Sequence, residues 1–188
     1  MSAEAVGRYM PAIITLDDLA AMIAADTHGR RYETSPEGVL SVVPPPDSEH
    51  AVIATRLMAW LITAGWPLDQ VMQVAGIRIP GPDGGEGGRI PDLTVWSRPQ
   101  QRAVWLTVAD LLLVIEIVSP GSEAIDQVTK LAEYAAAGIS QYWTVARDTA
   151  QTVTLYRLAS GGSYEVAAQM PLAWLLHTSP GDHLPASG

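Results

Sequence analysis

Three charged residues stand where a folded chain would place reactive groups: Asp92, Glu116 and Lys130. Asp92 opens an apolar segment, Glu116 interrupts the most apolar segment of the chain, and Lys130 lies in the predicted helix that follows. A buried carboxylate is costly unless a cation meets it. Glu116 therefore indicates a cation site inside the fold, and the alternative is an edge position or an ion pair with an arginine.

Asp92 and Glu116 belong to segments that read as strands, and two carboxylates on adjacent strands can share a divalent cation. The backbone carbonyl of Ile117 would add a further oxygen ligand. Coordination by oxygen alone suits Mg²⁺ or Mn²⁺. By itself Asp92 would be read as a turn residue, because Pro-Asp before a strand is a common turn sequence. Its pairing with Glu116 is what favours a metal site.

Lys130 is the only lysine among eleven basic residues. An ammonium is a compact donor whose pKa falls on desolvation, which a guanidinium does not offer, so this position is a candidate for chemistry. The alternative is a helix ion pair with Asp126, four residues earlier, worth about 0.3–0.5 kcal/mol. Asp126, Lys130 and Tyr134 form one helical stripe beside the apolar stripe, which could direct Lys130 toward Glu116.

The elements that would position these residues follow from periodicity and caps. A capping-box pattern at Thr15–Asp18 predicts a helix to about Ala25, and Asp47 or Ser48 begins a second helix that Gly65 ends. Ser122 begins a third, to about Ala137. Strands are predicted over 31–34, 39–43, 70–79, 90–96, 111–118, 141–146, 152–158 and 164–169, with a flexible turn over 81–88.

These elements predict a single α/β (α+β) domain over residues 1–188, with a core over about 12–170 and a loose tail over 177–188. The absence of cysteine excludes disulfides, thiolate zinc sites and cysteine nucleophiles. No apolar stretch approaches the ~20 residues of a membrane span, so we expect a soluble, cytoplasmic protein.

The net charge of −9 argues against a broad basic surface for nucleic acid, although a carboxylate cluster awaiting a metal would account for part of it. Four arginines near the Asp92 strand could nevertheless line a groove, or they could be scattered over the surface. They are Arg78, Arg89, Arg98 and Arg102.

A set of motifs in this order resembles the Uma-type putative restriction endonuclease family of the PD-(D/E)XK nuclease superfamily. The set comprises Pro91-Asp92, the strand Leu113–Pro120, Asp126, Lys130, Tyr134 and the segment Gly138–Trp143. The resemblance covers roughly Leu16 to Leu158. It implies a restriction-endonuclease-like core, a mixed central sheet flanked by helices. It also implies that Asp92 and Glu116 bind metal, and that Lys130 replaces the lysine that the simplest superfamily pattern places at Val118.

Two further residues match the family pattern, an acidic residue near the N-terminus and a histidine after a proline-containing strand end. Glu33 would be an auxiliary metal or water ligand, and its alternative is a solvated hairpin carboxylate. His50 would orient Glu33 or contact a phosphate, and its alternative is a structural or exposed histidine. Asp126 is a further auxiliary candidate.

The resemblance implies a Mg²⁺- or Mn²⁺-dependent endonuclease that hydrolyses phosphodiester bonds of DNA. A homodimer would suit a double-strand cut. One alternative is a non-catalytic module with a nuclease fold that serves binding or defence. Another is a metal-dependent phosphoesterase with a small substrate. A basic groove beside the site would favour the endonuclease over the small-substrate enzyme.

Overall fold

A computed structural model describes residues 13–43, 45–81, 84–119 and 128–184. Its helices are α1 (Leu16–Ala25), α2 (Ser48–Thr63), α3 (Lys130–Ala136) and α4 (Leu172–Leu175). Its strands are β1 (Arg31–Thr34), β2 (Leu40–Val43), β3 (Val71–Gln73), β4 (Ile77–Pro80), β5 (Glu86–Arg89), β6 (Leu93–Trp96), β7 (Leu106–Thr107), β8 (Leu111–Ile117), β9 (Gln141–Val145), β10 (Thr152–Leu158) and β11 (Tyr164–Pro171).

The larger sheet has six strands in the order β11-β10-β9-β8-β6-β3. Only β8 and β9 are parallel in it; the other neighbours are antiparallel. Inner strand β8 is covered on both faces, which explains its nearly continuous apolar sequence. Leu93 of β6 pairs with Ile115 of β8. Extending this register by one residue sets Asp92 opposite Glu116.

Strand alternation decides which face of β8 carries Glu116. Ile115 packs in the same core cluster as Ile53 of α2. Val114, on the opposite face, packs in the cluster that contains Tyr134 of α3. Glu116, the next even-numbered residue, therefore projects toward α3.

The smaller sheet has five strands in the order β2-β1-β5-β4-β7. Thr34 of β1 pairs with Gly88 of β5, so the register sets Glu33 opposite Arg89. A Cβ at Gly88 would lie 2.9 Å from side-chain atoms of Leu16 and Trp105. The absence of a side chain there lets α1 and Trp105 cover the sheet closely.

The capping predictions are confirmed at both long helices. Thr15 and Asp18 form a reciprocal capping box at α1. Asp47 caps α2 by accepting a 3.0 Å hydrogen bond from the amide of His50. This cap fixes the first turn of α2 and turns His50 inward, where it is 6% exposed.

Strand boundaries differ from the prediction in the middle of the chain. The segment predicted as one strand over 70–79 forms β3 and β4, which belong to different sheets. The break falls where Val74 has a φ of 55°. Nearby, a Cβ on Gly76 would lie 2.4 Å from the carbonyl oxygen of Val104. The backbone must leave the first sheet here, and apolar alternation carries no signal of that change.

The Gly-rich segment 81–88 is also different, because most of β5 lies within it. Glycines give no alternating side-chain pattern, so the pairing with β1 and β4 was not visible in the sequence. As a result, the predicted mixed α/β class is confirmed, but the strands are divided between two mixed sheets instead of one.

The prediction of a loose tail is wrong for residues 177–184. Leu184 is 3% exposed. The carbonyl of Thr178 accepts a 2.9 Å hydrogen bond from Trp60 of α2, and the carbonyl of His183 accepts one of 3.1 Å from Gln141 of β9. Residues 185–188 and the predicted helix start at 122–127, which includes Asp126, lie outside the described residues. In the part of the chain that is described, no helix is long and apolar enough to cross a membrane.

Candidate active site

Glu116 is the centre of a buried polar cluster. Its Oε1 accepts a 2.9 Å hydrogen bond from Lys130 Nζ and another of 2.9 Å from the hydroxyl of Tyr134. Glu116 is 4% exposed, Lys130 6% and Tyr134 0%. Lys130 is the first residue of α3, and Tyr134 lies one turn later on the same side. The structure thus brings Lys130 to Glu116, as the helical stripe indicated.

Asp92 is held from several directions. Its Oδ2 accepts a 2.8 Å hydrogen bond from the amide of Ile117 and lies 3.0 Å from Nε2 of His50. Its Oδ1 lies 3.8 Å from a guanidinium nitrogen of Arg31. Asp92 is 7% exposed, so it is not a solvated turn residue. The structure places His50 against Asp92 and not against Glu33, which corrects the expected partner of this histidine.

Glu33 reaches the same cluster from β1. Its Oε1 accepts a 2.9 Å hydrogen bond from the amide of Ile90. Its Oε2 lies 3.3 Å from a guanidinium nitrogen of Arg89 and 3.8 Å from Lys130 Nζ. Glu33 is 3% exposed, so the alternative of a solvated hairpin carboxylate is wrong. Lys130 therefore lies between a carboxylate of each sheet.

Arg89 joins β5 to α3. Its Nε and one terminal nitrogen donate to the two carboxylate oxygens of Glu133 at 2.7 and 2.6 Å. Burial acts to lower the pKa of Arg89, but the hydrogen bonds to Glu133 and the charges of Glu133 and Glu33 outweigh it and raise the pKa. The guanidinium is therefore charged throughout the physiological range.

The four arginines that could have lined a groove do not lie together on the surface. Arg89 points inward and is 3% exposed. Arg78 pairs with Glu86 at 3.0 Å, and Arg98 pairs with Asp110 at 2.8 Å. Arg102 is exposed. Of the two alternatives left by the sequence, a groove lined by all four arginines is therefore excluded, because Arg89 lies in the interior.

The cluster pairs four carboxylates with three cations, so its named ions leave one negative charge in excess. The carboxylates of Glu33, Asp92, Glu116 and Glu133 face the cations of Arg31, Arg89 and Lys130. Burial and the charge of Glu116 raise the pKa of Tyr134 well above 10, so its hydroxyl is a protonated donor. Buried ions of this kind are tolerated only when paired and hydrogen-bonded.

The donor chemistry of Asp92 and Glu116 fits a hard divalent cation, because both supply carboxylate oxygens, one from the residue before β6 and one from the neighbouring strand β8. The backbone of Ile117 adjoins Asp92 through its amide. As the side chains stand, no group of three or more His, Asp or Glu residues in the described ranges has the arrangement that holds a metal ion. Loading the site would require the carboxylates to exchange some of their present contacts with Lys130 and His50.

Several cluster members were not identified as site residues from the sequence. Tyr134 had a usable signal, because it follows Lys130 by four residues and shares its helical stripe. Arg31 and Arg89 had none of their own. Arg89 meets Glu133 across a separation of 44 residues, which only the packing of α3 on β5 brings together.

Comparison with known proteins supports the resemblance. The family described as Uma2, putative restriction endonuclease, matches residues 16–182. The chain belongs to the Uma2 family. Within this Uma2 chain, the matched range contains Glu33, His50, Asp92, Glu116 and Lys130.

The Uma2 chain also has the fold of a solved structure. That protein is described as a putative nuclease belonging to DUF820, from Anabaena variabilis ATCC 29413. The two chains are 23% identical, with a TM-score of 0.63, and the match covers 90% of this chain and 96% of that one. No curated protein matches the sequence.

Proposed function

We propose that the protein is a metal-dependent endonuclease that hydrolyses phosphodiester bonds of DNA, with Mg²⁺ or Mn²⁺ as its cofactor. The observation that carries the proposal is the buried carboxylate of Glu116, which accepts a hydrogen bond from Lys130. Extending the β6–β8 register by one residue sets Asp92, the residue before β6, opposite Glu116. The description of the Uma2 family as a restriction endonuclease supports a nuclease. A double-strand cut would suit two copies of the chain acting together.

Asp92 and Glu116 would hold the ion, with the backbone carbonyl of Ile117 as a further ligand. Held by these residues, a divalent cation would supply Lewis-acid chemistry, with polarisation of the scissile phosphate and a lower pKa for a bound water. Lys130 would orient the attacking water and donate a hydrogen bond to the phosphoryl oxygens as negative charge develops there. An ammonium can do so because it is a compact donor with three protons.

The remaining residues would set the positions of these three. Tyr134 donates to Glu116 and restricts its carboxylate. His50 lies 3.0 Å from Asp92 and fixes the orientation of that carboxylate, the role that partners of metal ligands usually have. Glu33 lies 3.8 Å from Lys130 Nζ and attracts the ammonium from the other sheet. It would complete the site as an auxiliary ligand for the ion or for water.

A non-catalytic nuclease-fold module is the second candidate, and two observations favour it. The chain carries a net charge of −9, and Arg89, one of the four arginines that could have lined a groove, is buried. Such a module would bind a partner without cleaving DNA, and its buried cluster would serve stability alone.

Cleavage of supercoiled plasmid separates the two. Wild type should cut the plasmid with Mg²⁺ or Mn²⁺ and not with EDTA. Glu116→Gln and Lys130→Met should each lower the rate by about 100-fold or more. The matched control is Glu165→Gln, at an exposed carboxylate of β11, which should keep the wild-type rate. Equal residual cleavage by wild type and both site variants would point to a contaminating nuclease and overturn the proposal.

A further inference from the structure

We infer that Arg89 is a positioning residue. Its bonds hold the first turn of α3 next to the end of β5 and thereby keep Lys130 in contact with Glu116. Its meaning for catalysis rests on the proposed function, whereas the fastening itself is a property of the fold. Arg89 donates hydrogen bonds to Glu133 and Glu33, and it acts on Lys130 through these two residues.

The contact with Glu133 is a paired one. Two nitrogens of Arg89 donate to the two oxygens of Glu133 at 2.7 and 2.6 Å, and its third nitrogen lies 3.3 Å from Glu33. Two parallel bonds between planar groups fix orientation as well as distance. Arg89 is 3% exposed, so water competes little for these bonds. One rigid fork therefore joins β5, β1 and α3.

The contact between Arg89 and Glu133 lies close to Lys130 along α3. Glu133 follows Lys130 by three residues, so the two lie within one turn of the helix. Residues 128 and 129 continue the helical backbone on the N-terminal side of α3 as a π-helical turn, and Thr129 makes no side-chain capping hydrogen bond. The bonds from Arg89 to Glu133 therefore hold the turn that carries Lys130 against β5 and β1. Misplacement of a reacting group by about 1 Å can cost about 100-fold in rate.

A purely structural reading of Arg89 makes a different prediction. If the guanidinium only neutralises Glu33 and Glu133, its loss would lower stability. The reactivity of Lys130 would then change no more than general destabilisation causes. The two readings are separated by a measurement that reports on Lys130 itself.

Lys130 is the only lysine in the chain, so its acylation by an amine-reactive ester can be followed by peptide mass spectrometry. Glu133→Gln keeps the side-chain shape but removes the negative charge of Glu133 and one of the two oxygens that accept hydrogen bonds from Arg89. The variant should acylate at Lys130 at least about tenfold faster than wild type, well below its melting temperature, through local opening of the first turn of α3.

Two controls sharpen this test. Glu86 lies on β5, the strand that carries Arg89, and forms an exposed ion pair with Arg78. Glu86→Gln breaks this pair and should leave the acylation rate of Lys130 unchanged. Ile53→Val destabilises the core on the opposite face of the larger sheet, and it shows how far lost stability alone raises the reactivity of Lys130. Unchanged acylation in Glu133→Gln, or an equal rise in an equally destabilised Ile53→Val, would overturn the inference.

Cleavage kinetics supply the second arm. Arg89→Lys keeps the charge but cannot form two parallel bonds. It should lower kcat by about tenfold or more, while the half-saturating Mg²⁺ concentration stays within about threefold, because Asp92 and Glu116 are intact. In a Lys130→Met background, Arg89→Lys should have no further effect on the rate, because the group that it positions is gone.

The acylation experiment and the cleavage experiment can fail independently of each other. Absence of metal-dependent cleavage by wild type would sink the proposed function, and Lys130 acylation would then decide the role of Arg89 alone. If wild type cleaves but the effects of Arg89→Lys and Lys130→Met multiply, Arg89 does not act through Lys130 and the inference is wrong.

Discussion

The ammonium of Lys130 lies 2.9 Å from a carboxylate oxygen of Glu116, and both side chains are more than nine-tenths buried. A buried ion pair of this kind contributes little net stability compared with a well-packed apolar pair, but removal of one partner leaves an uncompensated charge in the interior. The pair therefore sets different expectations for single and double substitutions.

Glu116→Ala alone should lower the free energy of unfolding by about 3–5 kcal/mol, because Lys130 loses a counter-charge that lies 2.9 Å away. Glu116→Ala combined with Lys130→Met should be less destabilised than the sum of the two single variants. Urea denaturation at pH 7 measures both. A double variant whose loss equals that sum would show that the two side chains are not energetically coupled.

Tyr134→Phe removes the second hydrogen bond to Glu116 and keeps the packing of the ring. We expect a loss of about 1 kcal/mol in the free energy of unfolding and a lower cleavage rate, because Glu116 is less restricted. Denaturation and plasmid cleavage are the measurements. Tyr156→Phe, in the same apolar cluster, is the control, and a cleavage rate as low as that of Tyr134→Phe would contradict the assignment.

His50→Ala should raise the Mg²⁺ concentration needed for half-maximal cleavage by about 10- to 100-fold, because the orientation of Asp92 is lost. A Mg²⁺ titration of the initial rate is the measurement. His177→Ala, at an exposed histidine, should match wild type. An unchanged Mg²⁺ requirement in His50→Ala would remove His50 from the site.

The lowered pKa of Asp26 predicts that the stability of the protein depends on pH. Asp26 accepts a hydrogen bond from Tyr32 of β1, the strand that carries Glu33. Burial acts to raise the pKa of Asp26, but hydrogen bonds from Arg30, Tyr32 and His28 outweigh it and lower the pKa from 3.8 to about 2. The carboxylate therefore adds stability above pH 3.8, and this contribution is lost as the pH falls toward 2.

The free energy of unfolding of wild type and Asp26→Asn, measured from pH 6 down to 2, checks this effect. Wild type should exceed the variant by a constant margin above pH 4, and the margin should shrink below it. Asp69→Asn, at an exposed carboxylate, should track wild type. A margin that grows as the pH falls would have the wrong sign for a lowered pKa.

Local features of the sequence determined much of the framework. Thr15 with Asp18, and Asp47 before α2, carry their own capping partners within three residues, so both helix starts were predictable. Glu116 could be identified from the sequence, because it is a carboxylate within the apolar run of β8 and a buried charge needs a partner in any fold. The single lysine identified Lys130 by residue type.

Tertiary structure decided how these residues meet. The segment 70–79 divides between two sheets, and the Gly-rich segment 81–88 contributes a strand, because strand pairing depends on distant partners that local alternation does not encode. Arg89 turns inward to Glu133, and His50 meets Asp92, only after α3 and α2 pack beside the strands. Composition and spacing selected the reactive groups, whereas long-range packing determined which charges neutralise one another inside the protein.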